Sequence, residues 1–430
     1  MKKLFFALLL GISGTLSAFS ATPESPPVQV EILSQAQAVA VALQHSPALQ
    51  ALLADNQASQ NRAQASARPA LFRLSLARLS QGDEHEIDRS LSLNLLEWLT
   101  WPWRARAADA QVSALQQEQA MALLSHAQAV RVQWVHAVAA QQREHYMNEV
   151  LQAARLGATL AQRLQASGQF SAAQAAQEAV AQAQAELAWT QAQQQALAEK
   201  EALIRLTGLP GDAGTATVNW ALPERLPDVP AEPAWQADQV AATAQRERLD
   251  TRLAQARWQA LARSSTDEAL RSLVDVDIGW QRQTSTGQVA KQGPEVSLGV
   301  LASDLGAARR RSANADEQAA LAQWQQSVLV AQSQVRERWS AYVASHRTAL
   351  HAREVLVPAR QRLLGERLKQ YNGMLIGPLE LLDEARSHTA SVMTAMEAQR
   401  DYWLSELALR SAMDGSDAPR ATSTSSSATP

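Results

Sequence analysis

Two stretches of the chain, 104–167 and 309–372, are helix-forming almost without interruption. The first has no Pro and one internal Gly, Gly157; the second has one Pro, Pro358, which predicts a kink or bend. Each runs for about 64 residues, or roughly 95 Å at 1.5 Å per residue. No ordinary globular domain encloses a helix of that length, so these helices must lie side by side. Their apolar positions suit that arrangement. Leu123, Ala127, Val130, Trp134 and Ala137 step by 4, 3, 4 and 3, and Leu321, Trp324, Val328, Ala331 and Val335 step by 3, 4, 3 and 4. That spacing is a coiled-coil seam, and its Ala positions allow close approach of neighbouring helices. Beyond Gly168 and Gly373, shorter helical segments at about 172–207 and 379–413 return, which predicts two long antiparallel hairpins with the glycines at their tips.

Each long helix is preceded by two runs with the other periodicity. Phe72, Leu74 and Leu76, then Leu91, Leu93 and Leu95, alternate with polar or small residues. Val274, Val276, Ile278 and Trp280, then Val296, Leu298 and Val300, do the same in the second half. Period 2 with one apolar face predicts four strands. The intervening segments 80–88 and 282–294 are polar and read as loops. Residues 31–67 read as helix.

The halves match at one offset of 205 residues. Ser92-Leu93 recurs as Ser297-Leu298, Arg104 and Arg106 as Arg309 and Arg311, Trp134 as Trp339, Gly168 as Gly373, and Arg205 as Arg410. An internal duplication is the expectation. The first structural repeat is placed at 21–208 and the second at 235–413, joined by a Pro-rich connector at 209–234. The Ser/Thr/Ala-rich end, 414–430, reads as a disordered tail. At the other end, Lys2 and Lys3 precede the apolar run 4–10, and Ala18 and Ser20 suit a signal peptidase, so 1–20 reads as a signal peptide.

Strands of about 9–11 residues can cross a bilayer when tilted. A four-stranded sheet leaves two open edges, which lipid cannot satisfy, so a spanning sheet must close with further copies of the chain. Trp98, Trp101 and Trp103 cluster where the second strand gives way to the long helix, and read as a membrane-interface belt. Arg104, Arg106 and the run 309–311 lie beside them. Cations at a helix N-terminus oppose its dipole, and lipid phosphates would explain their presence there.

Several classes are disfavoured. The chain has 430 residues, 8 His, no Cys and a net charge of −3, with 17 Gly and 16 Pro. Without Cys there is no disulfide framework, thiol nucleophile or Cys-ligated metal. A balanced charge gives no reason to expect nucleic-acid binding. No HExxH, phosphate-binding or nucleophile-elbow motif occurs, so no catalytic residue, cofactor or metal site is expected. Asp83-Glu84-His85-Glu86 reads as a hydrated external loop rather than a ligand set. The residues alone leave two readings: a membrane duct, and a soluble periplasmic coiled-coil scaffold or adaptor.

Across about 31–415 the sequence resembles the TolC-type outer-membrane efflux family. The resemblance rests on 45–49 (HSPAL), Leu91-Ser92-Leu93 with its following Arg, 168–171 at the first tip, 204–208 (IRLTG), and 371–383 (YNGMLIGPLELLD) at the second tip. It implies a mainly α protein with a small β part. Four strands per subunit would build a 12-stranded transmembrane β-barrel in a homotrimer, and the helices a periplasmic α-barrel with the connector as an equatorial band. It implies an outer-membrane location in a Gram-negative bacterium, with outer-membrane lipid around the barrel. Its partners would be a periplasmic adaptor (membrane fusion) protein and an inner-membrane pump, in a tripartite efflux or type I secretion system. Heavy-metal ions or drugs are candidate substrates. Glu380 and Asp383 match the positions that narrow the periplasmic aperture, and their i, i+3 spacing puts them on one helix face. Gly168, Gln169, Phe170, Ser171, Gly373, Met374 and Leu375 are the implied adaptor-contact tips. Two departures stand out: Gln174 occupies a position that is often Asp, and Gly373 comes one residue early relative to Tyr371.

Overall fold

The computed structural model describes residues 32–68, 72–81, 84–209, 220–271, 275–285, 289–299 and 307–416. The proposed signal peptide and nearly all of the proposed tail lie outside these residues. Each half runs through the same order of elements. The first comprises α1 (Gln35–His45), α2 (Pro47–Ala67), β1 (Arg73–Gln81), β2 (Glu84–Asn94), α3 (Leu95–Ala166) and α4 (Ala172–Thr207). The second comprises α5 (Ala237–Glu247), α6 (Leu249–Arg271), β3 (Asp275–Ser285), β4 (Lys291–Gly299), α7 (Ala307–His351), a π-helical turn (Ala352–Leu356), α8 (Val357–Asn372) and α9 (Pro378–Asp414).

The expected boundaries need four corrections. The helix over 31–67 is two helices, split at Ser46, because Pro47 disfavours the α conformation in the residue before it. The strands consume most of the expected loops: only 82–83 and 286–290 separate the paired strands, so Glu84, His85 and Glu86 belong to β2. Leu95 ends no strand; it opens α3, which starts well before Arg104 and carries Pro102 inside it. Finally, α9 continues to Asp414 and is closed by Gly415 in the left-handed conformation. The bend expected at Pro358 takes a definite form. Pro has no N–H, and the ladder just before it is rewound into the π turn at 352–356.

The four strands form one antiparallel sheet in the order β1-β2-β3-β4. On one side of it, α2 packs on α3, α3 on α6 and α6 on α7, a wall one helix thick. On that wall Trp258 and Trp324 stack with centroids 5.4 Å apart and planes 2° from parallel. Further along, α3 pairs with α4, and α7 and α8 pair with α9, while α3 and α9 join the two hairpins.

The deepest burial lies between these regions, where the connector crosses the helices. One cluster gathers Val130, Trp134 and Val138 of α3, Leu203 of α4, and Trp220, Leu222 and Leu226 of the connector. A second gathers Val229, Val240, Tyr342, Tyr402 and Leu409. The described part of the connector, 220–234, has almost no regular structure, so its backbone groups need side-chain partners. Gln399 Nε2 donates to the Leu226 and Pro227 carbonyls, Trp403 Nε1 to Pro227 at 2.9 Å, and Arg353 to Val229 at 3.1 Å. The Ala234 N–H donates to the Tyr342 hydroxyl at 3.0 Å. Trp134 ties the chain entry in the same way, donating to the Leu33 carbonyl at 2.8 Å.

Arg248, between α5 and α6, is a second fastening. It is 3% exposed, forms a two-pronged pair with Asp250 at 2.6 and 2.9 Å, and donates to the Ala331 and Ala412 carbonyls and to Gln334. Replacing it with Met leaves Asp250, only 12% exposed, without its cation. Arg248→Met should lower stability by about 3–5 kcal/mol, read from thermal unfolding by circular dichroism.

Burial, and repulsion from Glu247, push the Asp414 carboxyl above its ordinary 3.8, against the pull of Arg131 and Arg410. A raised acid pKa makes the charged form a cost to the fold above that pKa, and the cost vanishes below 3.8. Asp414→Asn should therefore raise the melting temperature at neutral pH and leave it unchanged once the pH is below 3.8.

Candidate functional site

The sheet sorts its residues by face. Successive rows across one face read Leu93–Ile278–Val296 and Leu74–Leu91–Trp280–Pro294. Rows across the other read Arg73–Ser92–Gly279–Glu295, Ser75–Ser90–Gln281–Gly293 and Ala77–Asp88–Gln283–Lys291. The apolar face is open: Leu74, Leu76, Trp280 and Val296 are each more than half exposed. The polar face is knitted across strands, with Ser75 and Ser90 hydroxyls 2.8 Å apart and Gln283 donating to Glu86. Exposure alternates with the pleat along β3, where Ile278, Trp280 and Arg282 are exposed and Asp277, Gly279 and Gln281 are half-buried. In the single chain, β1 and β4 each have one neighbouring strand. No described helix is long and apolar enough to cross a membrane, so this apolar face is a separate matter from any helical span.

The expected interface belt lies within the first turns of α3 rather than before them. Trp101 and Arg106 are exposed and Arg104 is half-buried, while the side chains of Trp98 and Trp103 lie outside the described residues. Because α3 opens at Leu95, Arg104 stands in its third turn, where the dipole of the helix end no longer acts on it. The argument from opposed dipoles therefore falls for this arginine.

At the first tip, Gly168 takes φ +76, and the Gln169 and Phe170 N–H groups both donate to the Leu164 carbonyl. This left-handed residue ends the helix and satisfies its last carbonyls. Ser171 then caps α4 reciprocally with Gln174, which explains the Gln at that position: its amide oxygen accepts from the Ser171 N–H at 2.8 Å. The second tip repeats the geometry with a different residue. Met374, not Gly373, is left-handed (φ +59), and Leu375 donates to the Gln370 carbonyl at 2.9 Å. The early Gly373 has φ −83, so its freedom is not used. Of the tip residues, Met374 and Leu375 are 94% and 78% exposed. Phe170, expected to be an exposed contact, is only 9% exposed and packs the hairpin end.

Glu380 and Asp383 lie on the first turns of α9, both about 60% exposed. Each faces an arginine. Arg367 of α8 is 3.9 Å from Glu380, and Arg386, one turn on, is 2.7 Å from Asp383. Arg386 also reaches across to α4, where it meets Glu178 at 2.6 Å. Glu178 is 3% exposed and its other carboxylate oxygen has no partner. One guanidinium thus joins the two hairpins near their tips. The Asp383/Arg386 spacing is legible in the sequence as an i, i+3 pair, but Glu178, 208 residues away from Arg386, carries no signal that it would be buried.

Arg386→Gln strands the Glu178 carboxylate. Stability should fall by about 1–3 kcal/mol, since Arg386 is itself partly exposed. Amide exchange should accelerate where α4 meets α9. Adding Glu178→Gln should return most of the loss, and a double-mutant cycle read by exchange mass spectrometry checks this.

No protein-family model matches the chain, and no curated relative matches it in sequence. In three dimensions it is similar to the outer-membrane channel OprN, with a TM-score of 0.71 at 18% identity over 93% of this chain and 96% of that one. The CmeC outer membrane channel of Campylobacter jejuni aligns with a TM-score of 0.70 at 14% identity, covering 89% and 86% of the two chains. The outer membrane protein VceC of Vibrio cholerae gives 0.67 at 17% identity, covering 88% and 96%. The chain therefore has the fold of the TolC-type outer-membrane channels.

Proposed function

We propose that this chain is one subunit of a homotrimeric outer-membrane exit duct, serving a tripartite efflux or secretion system and extending into the periplasm. The observation that carries the reading is the sheet: one apolar and one polar face, strands of 9–11 residues, and an open edge on both β1 and β4. Strands of that length cross a bilayer when tilted, and the two edges are satisfied only by closure. Three copies would close twelve strands, three times the four of one chain, with lipid outside and water within. The one-layer helical wall would continue the same tube toward the periplasm.

In this reading the tips face a periplasmic adaptor, with Met374 and Leu375 as the apolar contacts and Gly168, Gln169 and Ser171 shaping the first turn. Phe170 supports the tip from inside. Glu380 and Asp383 would form rings of like charge at the aperture, held by Arg367 and Arg386 in the narrow form. Rings of carboxylates favour cations in a pore. Trp101, with Trp98 and Trp103, and Arg104 and Arg106 mark the periplasmic face of the bilayer. The duct is passive, and an inner-membrane pump supplies the energy. Whether the cargo is metal ions or drugs is decided by sensitivity of a gene deletion to a panel of both.

The protein should sediment with the outer membrane, crosslink as a trimer, and conduct ions in a planar bilayer. Glu380→Gln with Asp383→Asn should lower the cation preference, read from the reversal potential under a salt gradient. Recovery as a soluble periplasmic protein that forms no conductance would overturn the reading.

A further inference from the structure

The sheet's carboxylates keep to one face, while its cations stand on both: Arg73 and Lys291 share the polar face with the acids. The registers place Glu86, Asp88, Asp277 and Glu295 on the polar face, and Arg78, Arg89 and Arg282 on the apolar one. Arg89 and Arg282 are direct cross-strand partners, in the row next to Leu91–Trp280 on the side of the strand hairpins. Arg78 stands one row further out, opposite Ile87. All three are exposed, and none makes an ion pair among the described residues. Like charges directly opposite each other oppose sheet formation, so an anion bound between them would stabilise this pair.

Its position says which anion. On the apolar face the rows toward the helices, Leu91–Trp280 and Leu93–Ile278, carry no charge, and the next row toward the strand hairpins carries Arg89 and Arg282. The arginines thus end the apolar band on the side away from the helices. Resting on the outer-membrane reading above, we propose that Arg89 and Arg282, with Arg78 behind them, bind the phosphate groups of a phosphorylated glycolipid in the outer leaflet. The guanidinium fork pairs with phosphate through two parallel hydrogen bonds, while the arginine stems and Trp280 lie against the acyl chains. Repeated around a closed barrel, the pairs would form an outer cationic girdle.

The test uses the full chain purified in neutral detergent, titrated with bisphosphorylated lipid A and with its enzymatically dephosphorylated form, and read by native mass spectrometry. Wild type should prefer the phosphorylated lipid by about tenfold or more. Arg89→Gln with Arg282→Gln should abolish the preference without changing binding of the dephosphorylated lipid, and Arg89→Lys with Arg282→Lys should retain part of it. Millimolar inorganic phosphate should not displace the lipid, because the acyl contacts are missing. Equal binding of both lipids by wild type, an unchanged preference in the double Gln variant, or displacement by free phosphate would overturn the proposal. Insertion and conductance in phosphatidylcholine bilayers separate the two failures: a protein that conducts there without preferring lipid A keeps the duct and loses only the girdle.

Discussion

A helix of 72 residues cannot be stabilised by a surrounding core, because no core in a chain of this size is as long as the helix. That constraint shapes everything else in the molecule. Each helix is stabilised along its length by one or two neighbours, and the wall they build is a single layer. Among the described residues the three-dimensional core forms at mid-length, where the connector crosses the helices and Trp220, Leu222, Leu226 and Val229 fill the space beneath it. A strap without regular structure could not be buried unless its carbonyls were met, and Gln399, Trp403 and Arg353 meet them. The two halves are held to one another there, and the hairpins and sheet extend from it in opposite directions.

The same shortage of burial explains the buried charges. In a wall one helix thick, few positions exclude water, and two of the buried charges tie separate elements together. Arg248 fastens the start of α6 to α7 and to the end of α9. Glu178 and Arg386 fasten the two hairpins near their tips. A buried ion pair contributes less net stability than an apolar contact of equal size but tolerates no partial loss, since the remaining charge is stranded.

At the sheet end the pleat separates two environments within one residue of each other. Asp88 and Arg89 are adjacent in sequence, yet the register turns one toward the polar face and the other toward the apolar one. Ordinary amphipathic sheets hide their apolar face against helices; here it is left open, and the helices leave from the strand ends instead. A face of that kind, bounded by aromatic and cationic residues, suits lipid as its solvent.

Much of this could be read from the chain itself. The long helices, their coiled-coil seams, the four amphipathic strands and the tip turns follow from local periodicity and from Gly and Pro placement, which act within a few residues. Burial of Val130, Trp134 and Ala137 at the expected seam positions shows how directly period becomes packing. Contacts between distant residues were not legible. Nothing near Glu178 announces Arg386, and nothing near Arg248 announces the carbonyl of Ala412. The strand ends are hidden in the sequence for a related reason: polar residues such as Glu84 and Glu86 resemble a loop until a partner strand pairs their backbone. Likewise, Met374 holds the left-handed position because the turn's hydrogen bonds to Gln370 and Tyr371 outweigh the strain of a side chain there. Short-range sterics and periodicity determine the elements; which faces meet, and which charges become buried, is decided only when elements far apart in sequence exclude water between them.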